Sequence, residues 1–87
     1  MKLTEIQKNI LRLYGHRHRD GRAELLMSQE VAEHKGTGRD VVNDELTKLE
    51  AMGLLKVNKA FRGDWSADIT PEGLIVLDEI GPISDRE

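Results

Sequence analysis

The stretch Arg39-Asp40-Val41-Val42-Asn43-Asp44-Glu45-Leu46-Thr47-Lys48-Leu49-Glu50-Ala51-Met52-Gly53-Leu54-Leu55-Lys56-Val57-Asn58 changes its hydrophobic period part-way along. Up to Met52 the apolar residues recur at helical spacing. Val42, Leu46 and Leu49 line one face, Val41 and Met52 flank it, and Gly53 stops the pattern. Beyond the glycine, Leu55 and Val57 alternate with Lys56 and Asn58, which is the period of a strand. A helix over about 39–52 therefore runs directly into a strand, and the rest of the chain can be placed on either side of that junction.

Upstream, Ser28 is a suitable N-cap for a short helix over about 29–34 with Val31 and Ala32 facing inward. Lys35-Gly36-Thr37-Gly38 then supplies a tight turn. Two helices joined by a short glycine-containing turn are what a helix-turn-helix requires. Nearer the N-terminus, Thr4 caps a helix over about 5–14, whose Leu3, Ile6, Ile10, Leu13 and Tyr14 make one apolar stripe. Gly15 is expected to end it, leaving His16-Arg17-His18-Arg19-Asp20-Gly21-Arg22 as a polar, basic loop. The brief run Ala23-Glu24-Leu25-Leu26 is compatible with a short strand.

Downstream, Trp65, Ala67 and Ile69 alternate with Ser66, Asp68 and Thr70, giving a second strand. The intervening Lys59-Ala60-Phe61-Arg62-Gly63-Asp64 contains a Gly-Asp step suited to a hairpin turn. Thr70 is a further cap, Pro71 occupies the first helical position, and a last helix runs to about residue 80 before Gly81-Pro82 ends it. The order predicts an α+β, mainly α fold: a winged helix-turn-helix with a three-helix core, a β-hairpin wing and a C-terminal helix. It occupies residues 1–81 as one domain, with 82–87 as a tail.

Eighty-seven residues suffice for one modest core. The chain is 38% hydrophobic and 33% charged, which is ordinary for a soluble globular protein. Only Tyr14, Phe61 and Trp65 are aromatic, so the core must be mainly aliphatic. The absence of cysteine removes disulfides, cysteine-based zinc sites and thiol catalysis together. No apolar run approaches the roughly 18 residues of a membrane span, and the first residues lack a signal-peptide core, so a cytoplasmic location is expected. The net charge of −3 hides a gradient. Residues 1–22 hold six basic and two acidic side chains, whereas residues 64–87 hold one and seven. A polyanion would be met by a local basic patch and not by the whole surface.

Two stretches, Leu46-Thr47-Lys48-Leu49-Glu50-Ala51-Met52-Gly53-Leu54-Leu55 and Ile69-Thr70-Pro71-Glu72-Gly73, resemble the winged-helix domains of MarR and PadR type transcriptional regulators. There a recognition helix ends in an L-x-x-L-E-x-x-G-L run that leads into the wing, and a T-P-x-G step opens the following helix. The resemblance implies binding of duplex DNA, with the third helix in the major groove and the wing over the backbone or minor groove. Carried over position by position, it implies that Arg39 meets guanine or phosphate, Asn43 adenine and Thr47 either. Thr37 and Gly38 stand at the helix N-terminus, where backbone amides can meet a phosphate. Lys56, Lys59 and Arg62 on the wing, with Arg17 and Arg19 of the basic run, are the further phosphate candidates.

A second reading is a winged helix used for protein–protein contact with no DNA binding. Asp40 and Asp44 fall on the outward face of the third helix, where carboxylates repel phosphates, although an aspartate can accept from cytosine N4. Their presence and the net acidity favour that alternative. The last helix reads Leu74-Ile75-Val76-Leu77 with Ile80 beyond, covering more of its circumference than a small domain buries. These five residues are expected to form a homodimer interface.

No enzyme is expected. Gly36-Thr37-Gly38 lacks the partners of a P-loop or dinucleotide fingerprint, and no nucleophile–base–acid set can be assembled. His16 and His18 lack further ligands nearby, so no metal or other cofactor is expected. His34 reads as a favourable residue at a helix C-terminus. Trp65 is expected to pack on the sheet, and Phe61 to lie exposed near the wing tip.

Overall fold

The computed structural model describes residues 2–19, 26–59 and 62–81. Among these residues four helices, α1 (Glu5–Arg19), α2 (Ser28–Lys35), α3 (Arg39–Ala51) and α4 (Pro71–Ile80), surround a hairpin of β1 (Leu55–Asn58) and β2 (Ser66–Ile69). The strands are antiparallel, with Leu55 opposite Ile69 and Val57 opposite Ala67. This is the α+β winged-helix layout predicted. The segment 23–25 and Phe61 lie outside the described residues, as does the tail 82–87.

Helices α1 and α4 start for a local reason. At α1, Thr4 Oγ1 accepts from Gln7 N (3.2 Å) while Gln7 Oε1 accepts from Thr4 N (3.0 Å), a reciprocal capping box. Gln7 is itself buried, and its Nε2 donates to Glu45 Oε1 of α3 at 2.9 Å. At α4, Thr70 Oγ1 accepts from Gly73 N (2.9 Å) and Pro71 takes the first turn, as read from the sequence.

Two expectations are corrected. Gly15 does not end α1; the helix continues to Arg19, so His16–Arg19 are helical and not a loop. Gly15 is buried where α1 and α4 cross, and a Cβ there would run into Leu77 Cδ2. The missing side chain serves close helix approach and not chain reversal. Ser28, for its part, is not the N-cap of α2. Met27 holds that position, and Ser28 is a fully buried first residue whose hydroxyl serves the hairpin.

The core is mainly aliphatic. Ile10, Leu11, Val31, Val42, Leu46, Leu49, Leu54 and Leu55 are buried together with Tyr14, whose hydroxyl donates to the Leu26 carbonyl at 3.0 Å. Burial pushes the Tyr14 phenol well above its ordinary range. Trp65 packs against this cluster from the hairpin, as expected. In α4, Leu77 is buried in the chain's own core and Leu74, Val76 and Ile80 pack partly against it. Ile75 alone of the five predicted interface residues stays largely outside, at 62% exposure.

Thr70 N and Gly73 both meet the backbone that follows α3. Thr70 N donates to the Leu54 carbonyl (3.1 Å) and Thr70 Oγ1 to the Gly53 carbonyl (2.6 Å). A Cβ on Gly73 would strike that same Leu54 carbonyl. The Gly53-Leu54 and Thr70-Pro71-Glu72-Gly73 steps, separate in sequence, are the two halves of one clasp.

Candidate nucleic-acid interface

The hairpin turn is the meeting point of the helix-turn-helix and the wing. Arg62 and Gly63 both adopt the left-handed conformation (φ 55° and 92°), which turns the chain back towards α2 and α3. The Gly63 carbonyl accepts from Asn43 Nδ2 of α3 at 2.7 Å and from Ser28 Oγ of α2 at 3.3 Å. Ser28 Oγ also accepts from Trp65 N (2.9 Å), and Ser28 N donates to the Trp65 carbonyl (2.6 Å). Asp64 Oδ1 accepts from Gln29 N at 2.8 Å, so the hairpin supplies the cap that α2 lacks in its own sequence. A Cβ at Gly63 would lie 3.7 Å from Arg39 Nη2, so the guanidinium at the start of α3 rests against the turn, next to exposed Arg62.

The predicted contact residues divide accordingly. The Arg39 guanidinium is brought to the hairpin turn at Gly63, the residue after exposed Arg62, although 24 positions separate Arg39 from Gly63 in sequence. Lys59 lies on the hairpin with its Nζ 5.1 Å from the centre of the Trp65 ring, a cation–π contact that holds the ammonium over the wing. Lys56 is exposed but stands directly opposite exposed Asp68, which offsets its charge. Gly38 is exposed and Thr37 half-buried in the turn before α3; Gly38 occupies the N-cap and contributes no side-chain cap bond. Thr47 is exposed, its hydroxyl donating to the Asn43 carbonyl one turn back at 2.9 Å.

Asn43 departs from its expected role. Its amide nitrogen donates to the Gly63 carbonyl, and its Oδ1 is buried with no hydrogen-bond partner among the described residues. It fastens the turn instead of reaching outward to a base. The described part of the basic run, His16–Arg19, is helical and its two arginines are divided, while residues 20–22 lie outside the described residues. Arg17 Nη2 pairs with Glu30 Oε2 of α2 at 2.6 Å, while Arg19 lines a cleft between α1 and α4 with Arg12, Leu77 and Asp78.

The outward face of α3 keeps its carboxylates, but not all of them stand alone. Lys48 Nζ lies 3.1 Å from Asp44 Oδ2 and 3.8 Å from Glu45 Oε2. Asp44 in turn holds the Lys48 ammonium charged above its usual range. Asp40 is exposed at the first turn, where the helix dipole favours an anion.

Sequence reading missed Asp64 as the cap of α2 and Asn43 as a fastener of the turn. Both depend on a long-range hairpin–helix contact that no local pattern encodes. Among the described residues, no three His, Asp or Glu side chains are grouped as a metal would require, and no helix is long and apolar enough to cross a membrane. No family model, curated protein or solved structure matches the chain.

Proposed function

We propose that this chain binds duplex DNA as a small regulator of the MarR/PadR kind, with α3 and the wing turn as its contact surface. The observation that carries the reading is the placement of the Arg39 guanidinium against Gly63 of the wing turn, which exposed Arg62 precedes. The start of α3 and the wing turn thereby each carry an arginine, whose planar guanidinium is suited to phosphate. Lys59, held over Trp65, extends that strip along the hairpin. Lys48 reduces the repulsion from Asp44 and Glu45.

One observation favours the protein-contact reading: Asp40 is exposed on α3 while Asn43, the expected base reader, is turned to the wing. Anisotropy of a labelled random-sequence duplex across a salt series separates the two. The DNA reading expects micromolar binding at low salt, an affinity that falls linearly in log salt, and a weaker complex with a shallower slope for Arg39→Ala. Absence of binding at the lowest salt would overturn it in favour of a protein partner.

A further inference from the structure

Reading a base edge needs side chains whose polar groups or methyls are not already spent inside the protein. Along α3 that requirement removes most candidates. The Asn43 amide donates to the Gly63 carbonyl at 2.7 Å, and the Thr47 hydroxyl donates to the Asn43 carbonyl at 2.9 Å. Asp44 and Lys48 are paired with each other at 3.1 Å. Half-buried Arg39 has its guanidinium against Gly63 of the wing turn. Asp40 and Val41 remain, side by side in the first turn of the helix and both exposed. Val41 is 44% exposed, and among the described residues Ile75 is the other large hydrophobic left so open to solvent.

We infer that these two adjacent residues carry the sequence preference of the DNA contact. Val41 packs on the C5-methyl group of a thymine, and Asp40 accepts from the N4 amino group of a cytosine at a neighbouring base pair. This inference rests on the DNA reading given above and assigns its specificity. The chemistry of the major groove selects those bases. The thymine methyl is the apolar group a base pair presents there, so an exposed valine gains most against it. A carboxylate is repelled by phosphates and by the N7 and O6 acceptors of guanine. Adenine sets its N7 acceptor beside its amino group, whereas cytosine offers the amino group with no acceptor next to it on the same edge. Arg39, one residue earlier, supplies a cation that offsets the approach of Asp40 to the backbone. Successive helix residues point about 100° apart, so Asp40 and Val41 diverge towards different base pairs.

The test is selection of bound duplexes from a randomised pool by the full chain, then anisotropy of the selected duplex at one fixed salt concentration. The expected site holds a thymine and a cytosine at neighbouring base pairs. Replacing that thymine by deoxyuridine, which lacks only the methyl group, should weaken wild-type binding about fourfold. Val41→Ala, whose shorter side chain withdraws from the methyl, should be nearly indifferent to the same replacement. Exchanging the cytosine's base pair for A·T should cost the wild type about tenfold. Asp40→Asn should lose that discrimination while holding random duplex more tightly. Circular dichroism of both variants should match wild type, because both positions are exposed. A selected site without the thymine and cytosine, or wild-type binding that ignores deoxyuridine, would overturn the inference and leave the DNA reading standing. So would a Val41→Ala or Asp40→Asn protein that discriminates as wild type does, or salt-dependent binding with no preferred sequence. Absence of binding at the lowest salt would overturn both.

Discussion

Asp64 Oδ1 accepts the backbone N–H of Gln29 at 2.8 Å, so the residue that caps α2 stands 35 positions downstream in the hairpin. Helix capping is ordinarily a local matter between neighbours in sequence. Here it joins the first helix of the helix-turn-helix to the wing. Removing the carboxylate should therefore loosen two elements together.

Asp64→Ala is expected to lower the unfolding free energy by about 1 kcal/mol, the usual value of a side-chain cap. Asp64→Asn, which keeps an acceptor at the same place, should retain most of it. Urea denaturation of the three proteins is the measurement. Equal losses for both variants would mean that the cap contributes nothing.

Two glycines make a contrasting pair. The atom that a Cβ at Gly73 would strike is the Leu54 carbonyl, part of the backbone, whereas at Gly15 it is the end of the Leu77 side chain. Gly73→Ala should cost about 2 kcal/mol or more, because the clasp must open to admit a methyl group. At Gly15→Ala the leucine can rotate, and the gain in helix propensity of about 1 kcal/mol offsets much of the crowding. Thermal melts should therefore rank Gly73→Ala far below Gly15→Ala.

Tyr14 is the chain's only tyrosine, buried and bonded to the Leu26 carbonyl. Its folded-state pKa is raised by burial first, with the negative charges of Asp64 and Glu30 adding to the effect. The neutral form is thus favoured in the folded state. Stability from this group is complete below the unfolded tyrosine value of about 10 and falls as pH rises above it. Absorbance of the phenolate should appear only together with unfolding, and Tyr14→Phe should remove that alkaline dependence at a cost of about 1 kcal/mol at neutral pH.

On the DNA reading, Asp40→Asn should tighten association with a random duplex several-fold at low salt, and Lys48→Ala should weaken it by releasing the charge of Asp44 and Glu45. Both effects should shrink as salt is added. Opposite signs in the anisotropy titrations would place the duplex elsewhere on the surface.

Much of the architecture was legible in the sequence because its punctuation is local. Thr70-Pro71 opens α4, Gly53 closes α3, and the change from helical to alternating period between them marks the wing. Gly15 misled because a glycine in a helical pattern reads as a stop unless the neighbouring helix is known; only the position of Leu77 shows why it is there. Ser28 misled in the same way, as a good capping residue whose hydroxyl is taken by Gly63 and Trp65. Asn43 has the helical phase of an exposed residue until the hairpin folds over it. In each case a contact distant in sequence overrides a sound local preference. Bringing Arg39 to the wing turn at Gly63 required the same contact, so the site is less legible than the fold.

On the DNA reading, the Gly63 carbonyl, holding Asn43 and Ser28 at once, bears on how long a duplex stays bound. The turn at Gly63 is tied to both α2 and α3 before a duplex arrives. Ordering it need not be repeated on each encounter, so less of the contact energy is consumed in docking. A ligand meets a template already set, and differences among ligands should then appear in how long they stay and not in how fast they arrive.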